Sequence, residues 1–381
     1  MKKIITLVCI TLALASLKAV ASEQFLYAGF AYSGNFSNRD SLYPYTSKLD
    51  VAKLDQEFLK RLKNSPEAFK RLTIEQRKLG QGNQISVAFA LNGENAEYQV
   101  INGESFLVLR IFATVLAFDR SSKNLVGAYP FGVGTTVKVS GRPSPASINE
   151  MLAKLYFTNE YGVNAFDKWI AQFTNAAITE KFPKYFQVKN VDIETEAGNT
   201  LNLYKVNESA FKNQVGNMLD AALSSENNIP ILPSALGEAI GGKMAYRFSN
   251  AAALELKIPD PDFILSFTIR AFRGKITQEP TATTGIYRVL ATVKIENADK
   301  NFNKVYIDER IFDTIFVRIP AGSSAQIEVW QQYQKSLAQL ITGMAKAFNK
   351  VDSKWLEDSV ANGQNSKDAF TITSQLFKSL R

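Results

Sequence analysis

The feature that most constrains this chain is an order of hydrophobic periodicities that runs through it twice. Segments alternating apolar and polar residues are followed, in each half, by segments with apolar residues every three or four positions. The first period is that of a half-buried strand and the second that of an amphipathic helix. In the first half, Phe25 to Ser33 predicts a strand. Asp50 predicts the cap of a helix carrying Val51, Leu54, Phe58 and Leu62, and Pro66 breaks it or starts a second. Ile85, Val87, Phe89 and Leu91 alternate, and longer strands follow near 104–119 and 124–139 around the polar turn Asp119–Asn124. Ser147 and Glu150 have capping-box spacing ahead of a helical region that reaches about Phe182 with a break near Gly162.

The second half repeats that order. Tyr185 to Ile193 predicts the opening strand, and Asn207 predicts the cap of a helix bearing Phe211, Val215, Met218 and Ala222. Strands are expected near 243–257, 262–273, 286–296 and 302–319. A long helix near 324–349 then carries Tyr333, Leu337, Leu340, Ile341, Met344 and Phe348, with Ser323 and Gln326 as its capping box. The fold expected is α+β, in two similar domains. Each is a mainly antiparallel sheet with amphipathic helices packed on one face. The first domain covers 22–183 and the second 184–349, with 350–381 a C-terminal tail or short helix.

The N-terminus predicts an address. Lys2 and Lys3 precede an almost wholly apolar run from Ile4 to Leu17, and Ala19-Val20-Ala21 offers small residues for a signal peptidase. Cleavage is expected between Ala21 and Ser22, with export to a bacterial periplasm. The signal's three lysines account for part of the formal charge of +8 over 381 residues. It also carries Cys9, the one cysteine, and the chain has no histidine. Disulfides, thiolate nucleophiles and imidazole bases are therefore excluded from the mature protein. The most apolar mature stretch, Phe106–Phe118, contains Arg110 and is too short to span a bilayer as a helix. It reads as a strand buried on both faces.

No motif adds chemistry to that inventory. Gly132-Val-Gly134 lacks the lysine of a phosphate loop and reads as a bend in a strand. Ser209 and Lys212 have the spacing of an acyl-transferase element without its partner elements. Asp260 and Asp262 read as a turn, whereas Glu309 and Asp313 sit on the core parity of a strand as a bulge or a polar patch. No catalytic, cofactor or metal site is expected, and nucleic acid is not an expected partner. The aromatic set Tyr27, Tyr32, Phe36, Tyr43 and Tyr45 is the candidate partner surface if it is exposed, and core if it is not. The basic run Lys60, Arg61, Lys63, Lys70, Arg71, Arg77 and Lys78 reads as a solvated helix face or as a contact for acidic headgroups.

The segments Pro259–Arg270 and Tyr287–Asn301, with the long C-terminal helix, resemble the periplasmic penicillin-binding-protein activator and curli-secretion-channel lipoprotein group. The resemblance spans about 185–349. The chain departs from that group in lacking its lipid-anchored cysteine and its Thr-Gly hairpin turn. The resemblance implies a small α/β scaffold that binds other envelope proteins. The expected function is thus a non-catalytic envelope protein working through sheet edges and helix faces. The alternative is a carrier for a hydrophobic or glycan ligand held between sheet and helices.

Overall fold

A computed structural model describes residues 24–34, 39–73, 85–101, 104–179, 184–233, 243–248, 253–299, 301, 303–321 and 327–381. The expected export signal with Ala21 and Ser22, the aromatic Phe36, Arg77, Lys78 and the expected Ser323–Gln326 cap lie outside the described residues.

The first half opens with β1 (Phe25–Ser33), followed by helices α1 (Val51–Lys63) and α2 (Pro66–Arg71) and the short β2 (Leu72–Thr73). Asp50 caps α1 by accepting from the Ala52 amide, and the helix buries Leu54, Phe58 and Leu62 on one stripe. A meander of three long antiparallel strands follows: β3 (Ile85–Ile101), β4 (Glu104–Asp119) and β5 (Leu125–Val139). Helices α3 (Pro145–Phe157) and α4 (Ala165–Asn175) close the half. The cap of α3 is Ser144, with Pro145 in the first turn, three residues ahead of the expected Ser147. Proline presets the helical φ and has no amide hydrogen to leave unbonded, so the helix starts there. The break before α4 contains Gly162 at φ 70°, and Asn164 caps α4 through the Phe166 and Asp167 amides.

The second half has β6 (Phe186–Ile193), α5 (Thr195–Leu203), α6 (Glu208–Asn227) and the short β7 (Ile231–Leu232). Next come β8 (Lys243–Phe248) and β9 (Ala253–Lys257), where one strand was expected. The long meander is β10 (Phe263–Glu279), β11 (Ala282–Asn297) and β12 (Val305–Pro320). Helix α7 (Val329–Asn349) packs over it. Residues beyond 350 form α8 (Ser353–Ser359) and α9 (Lys367–Ser379), whose Leu356, Phe370, Leu376 and Phe377 enter the second core.

The strand orders coincide. The first sheet runs β5-β4-β3-β1 with β2 parallel beside β1, and the second runs β12-β11-β10-β6-β7. In both, the opening strand pairs parallel to the first meander strand. The chain is therefore an α+β protein of two similar domains. The halves differ at one insertion. Hairpin β8–β9 leaves the second half and pairs antiparallel with β1, Tyr32 opposite Arg247. Its end reaches the β4–β5 turn, where the Lys257 amide donates to the Lys123 carbonyl at 2.8 Å. The first sheet thus curls into a nearly closed ring around a small core of Ala31, Ala88, Ala90, Leu116, Phe118 and Leu256. Alanine suits the inside of that curl, because a larger side chain there would force the walls apart.

The other face of the first sheet carries its main core, with Phe30, Phe58, Phe89, Tyr156, Phe166 and Trp169 interlocked mostly edge to face. β4 is buried on both faces, as its composition requires. Helix α6 packs on β6 of its own sheet and on β5 of the first. It accordingly buries residues around most of its circumference, including Val215, Gly216, Leu219, Ala221 and Ser224. Gly132 lies beneath it in β5, where a Cβ would stand 3.7 Å from that of Ala221.

Candidate functional site

The aromatic surface expected from Tyr27, Tyr32, Tyr43 and Tyr45 is not a surface. Tyr32 and Tyr43 are buried, the Tyr32 hydroxyl donating to the Thr46 carbonyl at 3.2 Å and that of Tyr43 lying 2.8 Å from Ser33 Oγ. Tyr27 stacks on Phe58 at 4.5 Å between centroids and donates to Asp55 Oδ1. Burial, then the Asp55 carboxylate, pushes its phenol well above the ordinary value. Tyr45 is half-buried against the same core. Apolar bodies with one polar tip are well suited to a core that offers a carbonyl or hydroxyl at each tip.

Of the basic run, Lys60, Lys63 and Lys70 lie on a solvated helix face, whereas Arg61 and Arg71 are taken up by packing. Arg61 bonds Glu57 Oε1 at 2.9 Å and Asp167 Oδ2 at 2.7 Å, tying α1 to α4. Arg71 donates to the Phe173, Thr174 and Ala176 carbonyls at the end of α4 and lies over the Phe25 and Phe173 rings. The other charged candidates are similarly engaged. Lys212 pairs with Glu208 at 2.7 Å, and Asp262 accepts from the Tyr185 amide. No register shift interrupts β12 at Glu309 and Asp313. Glu309 accepts from Asn362, and Asp313 accepts from Ser336 Oγ at 2.9 Å. Burial raises the Asp313 carboxyl pKa against that hydrogen bond. No three acidic, histidine or cysteine side chains converge as a metal site among the described residues.

The place where the halves meet offers more. A cleft of about 420 Å³ lies between the N-terminal half of α6 and the face of the first sheet that also carries the small core of Leu116 and Ala128. On the sheet side, β3 shifts register between Leu91 and Gly93, and Asn92 there donates to Thr114 Oγ1 at 2.6 Å. Gly93 lets α6 come close, since a Cβ would stand 3.1 Å from Asn217 Nδ2. On the helix side, Asn213, Gln214 and Asn217 line the cleft one turn apart, with Phe112 and Phe211 as apolar walls.

Glu94 lines the cleft but is occupied. Its carboxylate accepts from the Tyr45 amide at 2.5 Å and from the Thr46 amide and hydroxyl. Burial raises its pKa, and those hydrogen bonds oppose the rise. By contrast Asn95, Asn213, Gln214 and Asn217 hydrogen-bond through their side chains to no described residue. Each uncharged amide presents both donors and an acceptor. The arrangement can bind a neutral polar ligand through these amides. The amide stripe at Asn213, Gln214 and Asn217 was present in the sequence as helical spacing. It acquires meaning only once β3 is seen to face it.

Compared with known proteins, the chain matches no protein-family model and no curated protein.

Proposed function

We propose that this chain is an exported, non-catalytic binding protein of the bacterial cell envelope, and that the seam between its halves holds a neutral, glycan-like ligand. The observation that carries this reading is the set of four amide side chains that hydrogen-bond to no described residue, walled by Phe112 and Phe211. Amides match neighbouring sugar hydroxyls as donors and acceptors at once, and ring faces suit the apolar face of a pyranose. The polar lining argues against a purely hydrophobic cargo, because a buried unpaired amide costs about 1–3 kcal/mol.

Calorimetric titration with neutral oligosaccharides of several linkage types tests the site. Binding that Asn217→Ala and Gln214→Ala each weaken supports the reading. Absence of binding across that panel removes the glycan assignment. Sequencing the N-terminus of protein recovered from a periplasmic fraction tests the export half, with Ser22 as the expected first residue.

A further inference from the structure

Strand β12 forms the outer edge of the second sheet. Its edge is partly covered: the Ala361 amide donates to the Arg310 carbonyl at 2.8 Å, and Ile311 bridges to Val360. That bond shows which way the strand faces. The Arg310 carbonyl points away from β11, and backbone direction alternates along a strand. The register with β11 is unbroken from Ile307 to Pro320. The amides and carbonyls of Phe312, Thr314, Phe316 and Arg318 therefore also point away from the sheet. The Ile311–Val360 bridge also takes up the Phe312 amide, and no backbone of the described residues pairs with the outward groups of Thr314, Phe316 and Arg318.

A groove of about 870 Å³ runs beside this free edge, between β12 and helices α7 and α8. Its apolar lining is aromatic, from Phe312, Phe316 and Trp355, and its cations are Arg288, Lys335 and Lys346. Phe316 is 71% exposed and sits directly across from Ile286, itself exposed. Arg288 is held in place, with its guanidinium 4.8 Å from the Phe312 ring centroid and its Nε donating to Thr314 Oγ1. Arg288, Lys335, Lys346 and Arg318 form no ion pair with a described residue. Of the two carboxylates in the groove, Asp313 is bonded to Ser336, which leaves Asp358 facing the cations. The equivalent strand of the first sheet, β5, exposes no large apolar side chain, and its Lys138 is paired with Glu104.

We propose that this edge and groove dock an acidic, extended segment of a partner protein, which adds to β12 as a further strand. Edge pairing supplies main-chain hydrogen bonds of low sequence selectivity. The unpaired cations supply the preference for acid, and Phe316 with Trp355 supplies the apolar anchor. The free edge from Asp313 to Pro320 is long enough for a segment of about eight residues at roughly 3.3 Å each. The site is separate from the seam cleft, so neither reading depends on the other.

The test is fluorescence anisotropy with a labelled octapeptide alternating Glu with Thr or Val, against the same peptide with Lys for Glu. The full chain is expected to bind the acidic peptide saturably and the basic one weakly or not at all. Binding is expected to weaken sharply at about 1 M salt, where screening shortens to roughly 3 Å. Arg288→Gln and Phe316→Ala are each expected to weaken it about fivefold or more. Phe316→Pro removes an outward amide without touching the β11 ladder and is expected to weaken it further than Phe316→Ala, with the fold retained by circular dichroism. The proposal is overturned if acidic and basic peptides bind alike or the acidic peptide fails to bind. It is also overturned if Phe316→Pro, still folded, binds as well as Phe316→Ala. Sedimentation showing a dimer that Phe316→Ala dissolves would assign the edge to a second copy of this chain, against the proposal.

Discussion

In the first sheet the opening strand β1 has β2 and then β8 on its outer side, and hairpin β8–β9 carries the sheet round until Lys257 meets Lys123. In the second sheet, among the described residues, the opening strand β6 has only the two-residue β7 in that place, and β12 stands at the other edge with Phe316 exposed. Two sheets of one strand order thus meet solvent differently. The first is wrapped on its alanine-lined face by elements borrowed from the second, and its aromatic residues are buried on the other face under α1, α3 and α4. The second stays open at β12, so its aromatic and basic residues remain available. Topology decides which strands pair, and insertions decide which edges stay free.

Matched substitutions in the two cores probe this difference most strongly. Trp169 is fully buried, stacked on Phe173 and edge-on to Phe58, with its indole donating to the Ala88 carbonyl. Trp169→Ala is expected to cost about 3–5 kcal/mol in urea unfolding. Trp330 holds a comparable place in the second core, against Phe211, Phe272 and Tyr204, but is only partly buried. Trp330→Ala is expected to cost about 1–2 kcal/mol, because a half-exposed ring has less transfer free energy to lose. Equal losses would break the contrast between a closed and an open half.

Glycine contacts sharpen it at smaller scale. A Cβ at Gly285 would stand 2.6 Å from Tyr287 Cε2 and 2.7 Å from its hydroxyl. Gly285→Ala is expected to cost about 1–3 kcal/mol by overpacking, read as a lower urea midpoint. At Gly93 the nearest atom, Asn217 Nδ2, ends a movable side chain. Gly93→Ala is expected to cost about 0.5 kcal/mol or less while weakening oligosaccharide binding at the seam. A large stability loss there would mean that β3 and α6 are locked together, with no adaptable cleft between them.

The smallest expected effect is a pH slope. The native state keeps the Glu94 proton to a higher pH than the unfolded chain does, because burial raises its pKa. Its contribution to stability is therefore most favourable below the ordinary carboxylate range and declines as pH rises through the raised value. Glu94→Gln removes that slope. The melting temperature of the unsubstituted protein minus that of the variant is expected to fall between about pH 4 and pH 7. A flat difference would show that the hydrogen bonds from Tyr45 and Thr46 offset the burial completely.

Much of the fold was legible. The alternation through Ile85–Leu91 and Phe263–Ile269, the caps at Asp50 and Asn207, and the stripe along α7 each appear where periodicity places them. The cap at Ser144 was missed because Ser147 and Glu150 made a stronger local pattern than Pro145 suggested. The hairpin was missed because strand pairing runs through backbone groups that every residue carries, so alternation in 243–257 names no partner. The candidate sites were less legible. Tyr32 and Tyr43 looked the same in sequence whether they faced solvent or Thr46 and Ser33.

The sequence by itself determined the secondary elements, the doubled strand and helix order, the confinement of thiol chemistry to Cys9 and the absence of imidazole. Those follow from residue identity and from spacing along one element. Tertiary structure alone decided which element meets which. It put α6 between the two sheets, carried β8–β9 across to β1, buried the aromatic cluster and left β12 open. The physical reason is that periodicity shows which residues share a face, whereas only packing sets what that face touches.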